Sequence, residues 1–172
     1  MRPLRLLLLA SALACNDGLK PTPVPTTCPT GFVGICGEVT FRGTLPDSTD
    51  ALYLVAYAAF PQSTSDLFDF LPFPPSTLPL PASGDSVVHY TLPLPNGAYH
   101  WVLAVWKKVG TLNPGNPASA DSLLREAGYY RDPADSTQPG IVQVNATGTD
   151  HIDFVVDFGN MHSVSYFFPG TP

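Results

Sequence analysis

Ser86-Val87-Val88-His89-Tyr90-Thr91-Leu92, then Pro93-Leu94-Pro95-Asn96-Gly97-Ala98, then Tyr99-His100-Trp101-Val102-Leu103-Ala104-Val105-Trp106-Lys107 run on without interruption, two strand-like blocks about a turn-like one. The outer two blocks are rich in β-branched and aromatic residues, which suit a pleated, half-buried surface. Asn96-Gly97 lies between them. An Asn-Gly pair between apolar runs is the strongest short-range hairpin signal, because a type I′ turn needs positive φ at both central positions. The expectation is an antiparallel hairpin that sets His89 opposite Ala104.

Working outward, Gly37-Glu38-Val39-Thr40-Phe41-Arg42 alternates apolar and polar residues and then meets Gly43 and Leu45-Pro46-Asp47. That is a strand followed by a turn. Ala51 to Phe60 is continuously apolar, as a central strand should be, and Pro61 is expected to stop it. Arg125–Tyr130, Gly140–Val144 and Ile152–Phe158 bring the strands to about seven. Only Ser119–Arg125 reads as a helical turn, with Ser119 as its cap. Strands without alternating helices give an all-β fold: an antiparallel, seven- to eight-stranded sandwich. The 20 prolines, 14 glycines and 13% charged residues agree with short strands joined by turns.

Strand one with its Gly37-Glu38-Val39 start, and Leu94-Pro95-Asn96-Gly97-Ala98-Tyr99 stepping into Trp101-Val102-Leu103-Ala104-Val105, resemble the carboxypeptidase-regulatory and transthyretin-like sandwich family. The likeness covers roughly residues 36 to 158. It implies an immunoglobulin-like sandwich that stabilises, displays or recruits, with no catalytic residues to transfer.

The start of the chain carries an address. Arg2 and Arg5 precede the apolar run Leu6 to Ala10, and Ser11-Ala12-Leu13-Ala14 leads into Cys15. A basic start, a short apolar stretch and a small-residue site make a secretory signal over residues 1–14. A cysteine directly after it resembles the lipobox of bacterial lipoproteins, with Leu13 and Ala12 departing from the commonest pattern. The likeness implies that Cys15 becomes a lipidated, triply acylated N-terminus, and stable anchoring needs more than one chain. Asn16 in place of an aspartate leans toward the outer membrane. Ordinary secretion, with Cys15 a bystander, is the alternative.

Residues 15–35 then form the lipidated N-terminus and a tether in which Pro21, Pro23 and Pro25 favour extended backbone. A single domain over residues 36–172 follows. With Cys15 acylated, Cys28 and Cys36 remain as an even pair in an oxidising compartment and are expected to form a disulfide. A metal or redox pair is the alternative, although no further Cys or His lies nearby at ligand spacing. Fourteen acidic against eight basic residues, a net charge of −6, argue against nucleic acid as a partner.

No nucleophile elbow, zinc-binding H-E-x-x-H, P-loop or dinucleotide fingerprint is present, so the expectation is no enzyme, no cofactor and no metal. His89, His100, His151 and His162 read as surface or strand-edge histidines. Asp121, Asp132 and Asp135 offer oxygen ligands for calcium, but their spacing fits solvated turns better. Asn145-Ala146-Thr147 matches a glycosylation pattern without meaning in a bacterium lacking that pathway. Trp101, Trp106, Tyr129 and Tyr130 could form a sugar-stacking platform. The two tryptophans are five apart, though, and so face opposite sides of a strand, leaving Trp106 as the candidate surface residue.

The insertion over residues 61–85 is the anomaly, long for a loop and rich in Leu67, Phe68, Phe70, Leu71, Phe73, Leu78 and Leu80. It either covers the sandwich or offers Phe68, Phe70 and Phe73 to a partner. The covering reading, with Phe73 buried and Val164-Ser165-Tyr166-Phe167-Phe168 as its companion, is the expectation. The whole reads as a membrane-anchored envelope lipoprotein, a non-catalytic structural or protein-binding module with an envelope protein as partner. The alternative is a carbohydrate- or small-ligand-binding module using exposed aromatics.

Overall fold

The computed structural model describes residues 27–81, 86–113 and 116–168. The signal segment, Cys15 and most of the tether lie outside the described residues.

The chain folds as an all-β sandwich of two main sheets. The three-stranded sheet has the order β4 (Val87–Pro93), β1 (Gly34–Arg42), β9 (Phe154–Asp157). The five-stranded sheet has the order β10 (His162–Ser163), β7 (Leu124–Tyr129), β6 (Trp101–Lys108), β2 (Thr49–Tyr57), β3 (Leu71–Thr77). A short ribbon, β5 (Gly97–Tyr99) with β8 (Val142–Val144), joins them at one end. Two short helices, α1 (Pro117–Leu123) and α2 (Val164–Phe167), and a 3₁₀ turn over Ser65–Phe68 complete the elements.

Between the sheets, alternate residues interlock. Val39 and Phe41 from β1, Leu52 and Leu54 from β2, Leu92 from β4, Val102 and Ala104 from β6 and Val156 from β9 are fully buried together. Phe41 stacks on Phe158 with ring centres 5.8 Å apart. Tyr90 reaches across to donate its hydroxyl to the Ile152 carbonyl at 2.6 Å, which satisfies the one polar atom this ring brings into the core.

At Gly128 the two sheets come into direct contact. A Cβ there would collide with the Val155 carbonyl of β9, so only glycine lets β7 lie this close to the opposite sheet.

Three expectations change. The Asn96-Gly97 segment is not a hairpin: β4 pairs with β1, setting His89 opposite Glu38, while β6 pairs with β2, setting Ala104 opposite Leu54. The chain crosses from one sheet to the other here, and the Tyr99 hydroxyl fixes the corner by donating to the Pro95 carbonyl at 2.9 Å. Gly97 has a φ of +156°, whereas Asn96 is not in the positive-φ region, so no type I′ turn forms. The sandwich is also not wholly antiparallel, because β1 and β9 run parallel. Third, residues 71–77 of the insertion are a strand. β3 pairs with β2 through Leu71, Ser76 and Thr77, and Pro72, Pro74 and Pro75 fall between those contacts. The prolines are tolerated because they lie on an edge strand where the β2–β3 ladder is interrupted by a register shift, so no ladder hydrogen bond depends on their N–H groups.

Smaller shifts follow from local bonding. Ser119 lies inside α1 rather than capping it, and its hydroxyl clips the preceding loop by donating to the carbonyls of Asn113 and Asn116. β2 ends at Tyr57, four residues before Pro61.

Cys28 and Cys36 are joined, with Cα atoms 5.3 Å apart. Cys36 is buried in β1, and the Cys28 N–H donates to Asp150 Oδ1 at 2.7 Å. Asp150 and both sulfurs therefore cluster. With the sulfurs bonded to each other there is no thiolate to hold a metal. The disulfide staples the end of the tether to the sheet.

Candidate functional site: an apolar cleft on the outer sheet face

In a sandwich the outward residues of each strand are ordinarily polar. The five-stranded sheet breaks that rule. Its outward side chains on β6 are Trp101, Leu103 and Val105, and those beside them on β2 are Tyr57, Val55 and Tyr53. This is why β2 and β6 have almost no polar alternation: both faces are apolar.

Two segments rise over that outer face. On one flank stand the 3₁₀ turn and β3, supplying Leu67, Phe68, Phe70, Phe73 and Pro75. On the other stand α1 and α2, with Ala120, Val164 and Phe167, next to Leu124 at the start of β7. They do not meet. Between them lies a cleft of about 350 Å³ with a floor of Trp101, Leu103, Val105 and Val55.

Trp101 is the centre of the aromatic lining. Its indole is within 4.9 Å of the Phe60 ring, 5.2 Å of Phe167 and 5.6 Å of Tyr57, centre to centre. The Tyr57 hydroxyl donates to the Leu67 carbonyl at 2.8 Å and pins the 3₁₀ turn to the sheet. Burial, reinforced by the negative charge of Asp69, pushes that phenol well above its ordinary pKa, so it stays a donor.

The polar groups of the lining are few. Glu126 on β7 lies beside Val105 and is buried, its Oε2 2.8 Å from Nδ1 of His162 on β10. Burial pushes the Glu126 carboxyl above its ordinary value, and the hydrogen bond and charge of His162 pull the other way. The guanidinium of Arg125 is turned onto the carbonyls of Asp121 and Leu124. The indole N–H of Trp101 is buried and has no hydrogen-bond partner among the described residues.

The residues singled out in the sequence fall into place unevenly. Phe68, Phe70 and Phe73 do come together as one wall of the cleft. Phe73, however, is 81% exposed rather than buried, and Phe68 is 45% exposed, because the wall stands up from the sheet and is not roofed. Trp106 is not a surface residue. It is 6% exposed, faces the inner core and donates its Nε1–H to Thr49 Oγ1 at 2.8 Å. With Trp101 only 2% exposed on the other side of the same strand, neither tryptophan can serve as an open stacking platform for a sugar.

Asp132 and Asp135 cap their own turns, accepting from Ala134 N–H and from Thr137 respectively. Asp121 stands apart and accepts from the Ser165 N–H at 2.8 Å. The Thr137 bonds hold the Asp135 carboxyl below the usual range, as expected of a turn acceptor. His89 lies 3.4 Å from Glu38 Oε1, and His100 and His151 are exposed. His162 has a more specific place than the surface role expected of it.

Two buried charges escaped the sequence reading. Glu126 is one. The other is Lys107, which is ion-paired with Asp50 and donates to the Gly110 carbonyl at 2.9 Å. Neither sits in a motif, and only strand register brings their partners to them.

No family model, no curated protein and no solved structure matches the chain.

Proposed function

We propose that this chain is a non-catalytic, membrane-anchored binding module of the cell envelope, and that the outer cleft of its five-stranded sheet holds a small apolar molecule. One observation carries the ligand reading: a concave, almost wholly apolar cavity of about 350 Å³, lined by aromatic rings with a few convergent polar groups. Pockets that hold small organic molecules have this size and character. The anchor rests on the sequence of residues 1–15. By that reading Cys15 is the attachment; among the described residues no helix is long and apolar enough to cross a membrane.

The exposed rings of Phe68 and Phe73 on the lip of the cleft favour a second reading, in which the same wall meets an envelope protein.

The test uses the full chain carrying Cys15→Ser and the neutral fluorophore N-phenyl-1-naphthylamine. Its fluorescence should rise on binding. Val105→Trp, which fills the floor, should abolish the rise while the protein stays folded. A fluorophore that ignores the protein, or binds the Val105→Trp variant equally well, overturns the ligand reading. Cell fractionation checks the anchor: Cys15→Ser should move the protein from the membrane to the soluble fraction.

A further inference from the structure

We propose that the cleft selects a neutral, largely apolar molecule carrying a carbonyl or ether oxygen, and that this oxygen accepts the Nε1–H of Trp101. The inference rests on the cleft being a ligand site and names the chemistry of what enters it.

The two indoles of this chain form an internal control. They lie on one strand, and both are buried. Trp106 faces the closed core, where its N–H has found Thr49 Oγ1 at 2.8 Å. Trp101 faces the cleft, and its N–H has no partner among the described residues. Leaving a buried donor unmet is costly, and folded proteins rarely do so without cause. The rings of Tyr57, Phe60 and Phe167 pack around this indole. An oxygen arriving with an apolar ligand satisfies this donor, whereas a plain hydrocarbon fills the space and leaves it unmet.

Charge narrows the class further. The carboxyl of Glu126 lines the cleft and is held in place by His162. A ligand carboxylate would have to give up its water for this almost wholly apolar lining, which costs far more than for an uncharged oxygen. Arg125 also lines the cleft, but its Nη1 donates to the carbonyls of Asp121 and Leu124, bonds that a ligand anion would have to displace to reach it. Fatty acids are thus disfavoured against uncharged ketones, esters and ethers of equal length. Size sets the rest: about 350 Å³ lies at the small end of the range for pockets that hold organic ligands. That suits a chain or ring system of about ten carbons.

The probes are 2-decanone and decanoate, each displacing N-phenyl-1-naphthylamine from the full chain with Cys15→Ser. The ketone should displace the fluorophore at a concentration roughly tenfold lower than decanoate does. In Trp101→Phe, fluorophore binding should persist while the ketone weakens by roughly tenfold, the scale of one buried hydrogen bond lost. Should Trp101→Phe fail to fold, the wild-type protein decides through its two indole N–H resonances. Saturating 2-decanone should move the Trp101 signal downfield and leave that of Trp106, held by Thr49, in place. A Trp101 resonance that does not move, a ketone that binds Trp101→Phe as tightly as wild type, or decanoate matching the ketone overturns this proposal while leaving the cleft a ligand site. A fluorophore that never binds overturns the site itself.

Discussion

Strand β6 has two apolar faces with different fates. Val102, Ala104 and Trp106 meet a second sheet and are sealed. Trp101, Leu103 and Val105 meet only two flanking segments that stop short of each other. The side chains are of the same kind on both faces. What differs is the surface opposite them: a sheet about 10 Å away interlocks along its whole length, whereas a proline-rich edge strand and two short helices can build walls but no roof. Hydrophobicity places a residue out of water, and the opposing backbone decides whether the space closes.

The sharpest way to break that contrast is to force the inner face apart. Gly128→Val puts a branched side chain where β7 meets the Val155 carbonyl, and should lower stability by about 3 kcal/mol or more. Thermal melting followed by circular dichroism would show this; an unchanged midpoint would mean that the sheets are not in close contact there. Leu52→Ala on the same inner face leaves a cavity in a fully buried position and should cost about 3 kcal/mol by urea unfolding.

The outer face should respond far less. Replacing Phe68, Phe70 and Phe73 together by Ser removes three rings that are only partly covered, so the loss should be about 2 kcal/mol or less, below three full burials. A loss equal to three buried rings would mean that the wall closes over the cleft in solution.

A proton sharpens the comparison in another way. Because burial raises the Glu126 carboxyl, the unfolded chain, titrating near 4.5, gives up its proton first as pH rises. The stability contributed by this group is complete below that pH and is lost as pH climbs through the folded value. Glu126→Gln should therefore flatten the part of the decline that begins near pH 4.5 and that wild type owes to this carboxyl, as read from urea midpoints. Parallel curves for the two proteins would place the carboxylate in water. Smallest of all, Phe73→Ser alone should shift stability by no more than about 0.5 kcal/mol, since that ring is already mostly solvated.

Much of this architecture is legible in the sequence, for identifiable reasons. Ala51–Phe60 and Trp101–Trp106 announce strands apolar on both faces, and the odd separation of Trp101 from Trp106 correctly assigns them to opposite sides. The cysteine pair and its disulfide follow from spacing and count. The Asn96-Gly97 reading fails because the same two residues serve a chain that turns back and a chain that crosses to the other sheet; the difference lies in which strands pair, a long-range property. β3 is illegible for the opposite reason. Pro72, Pro74 and Pro75 forbid a central strand, and nothing local says that an edge is available. The polar part of the site is hidden for a third reason: Glu126 and His162 are 36 residues apart and meet only through the register of β7 with β10.

The prolines of β3 carry a consequence for molecules crowded side by side. The edge of a sheet exposes a row of unpaired N–H and C=O groups onto which another chain can add. Along β3 three of the seven positions have no N–H to offer. A lipid anchor would confine many copies to one surface at high local concentration, where edge-to-edge growth into fibres is most to be feared. The residues that wall the cleft also blunt the edge along which such a ladder would start, so anchored copies packed side by side would be kept from joining their sheets.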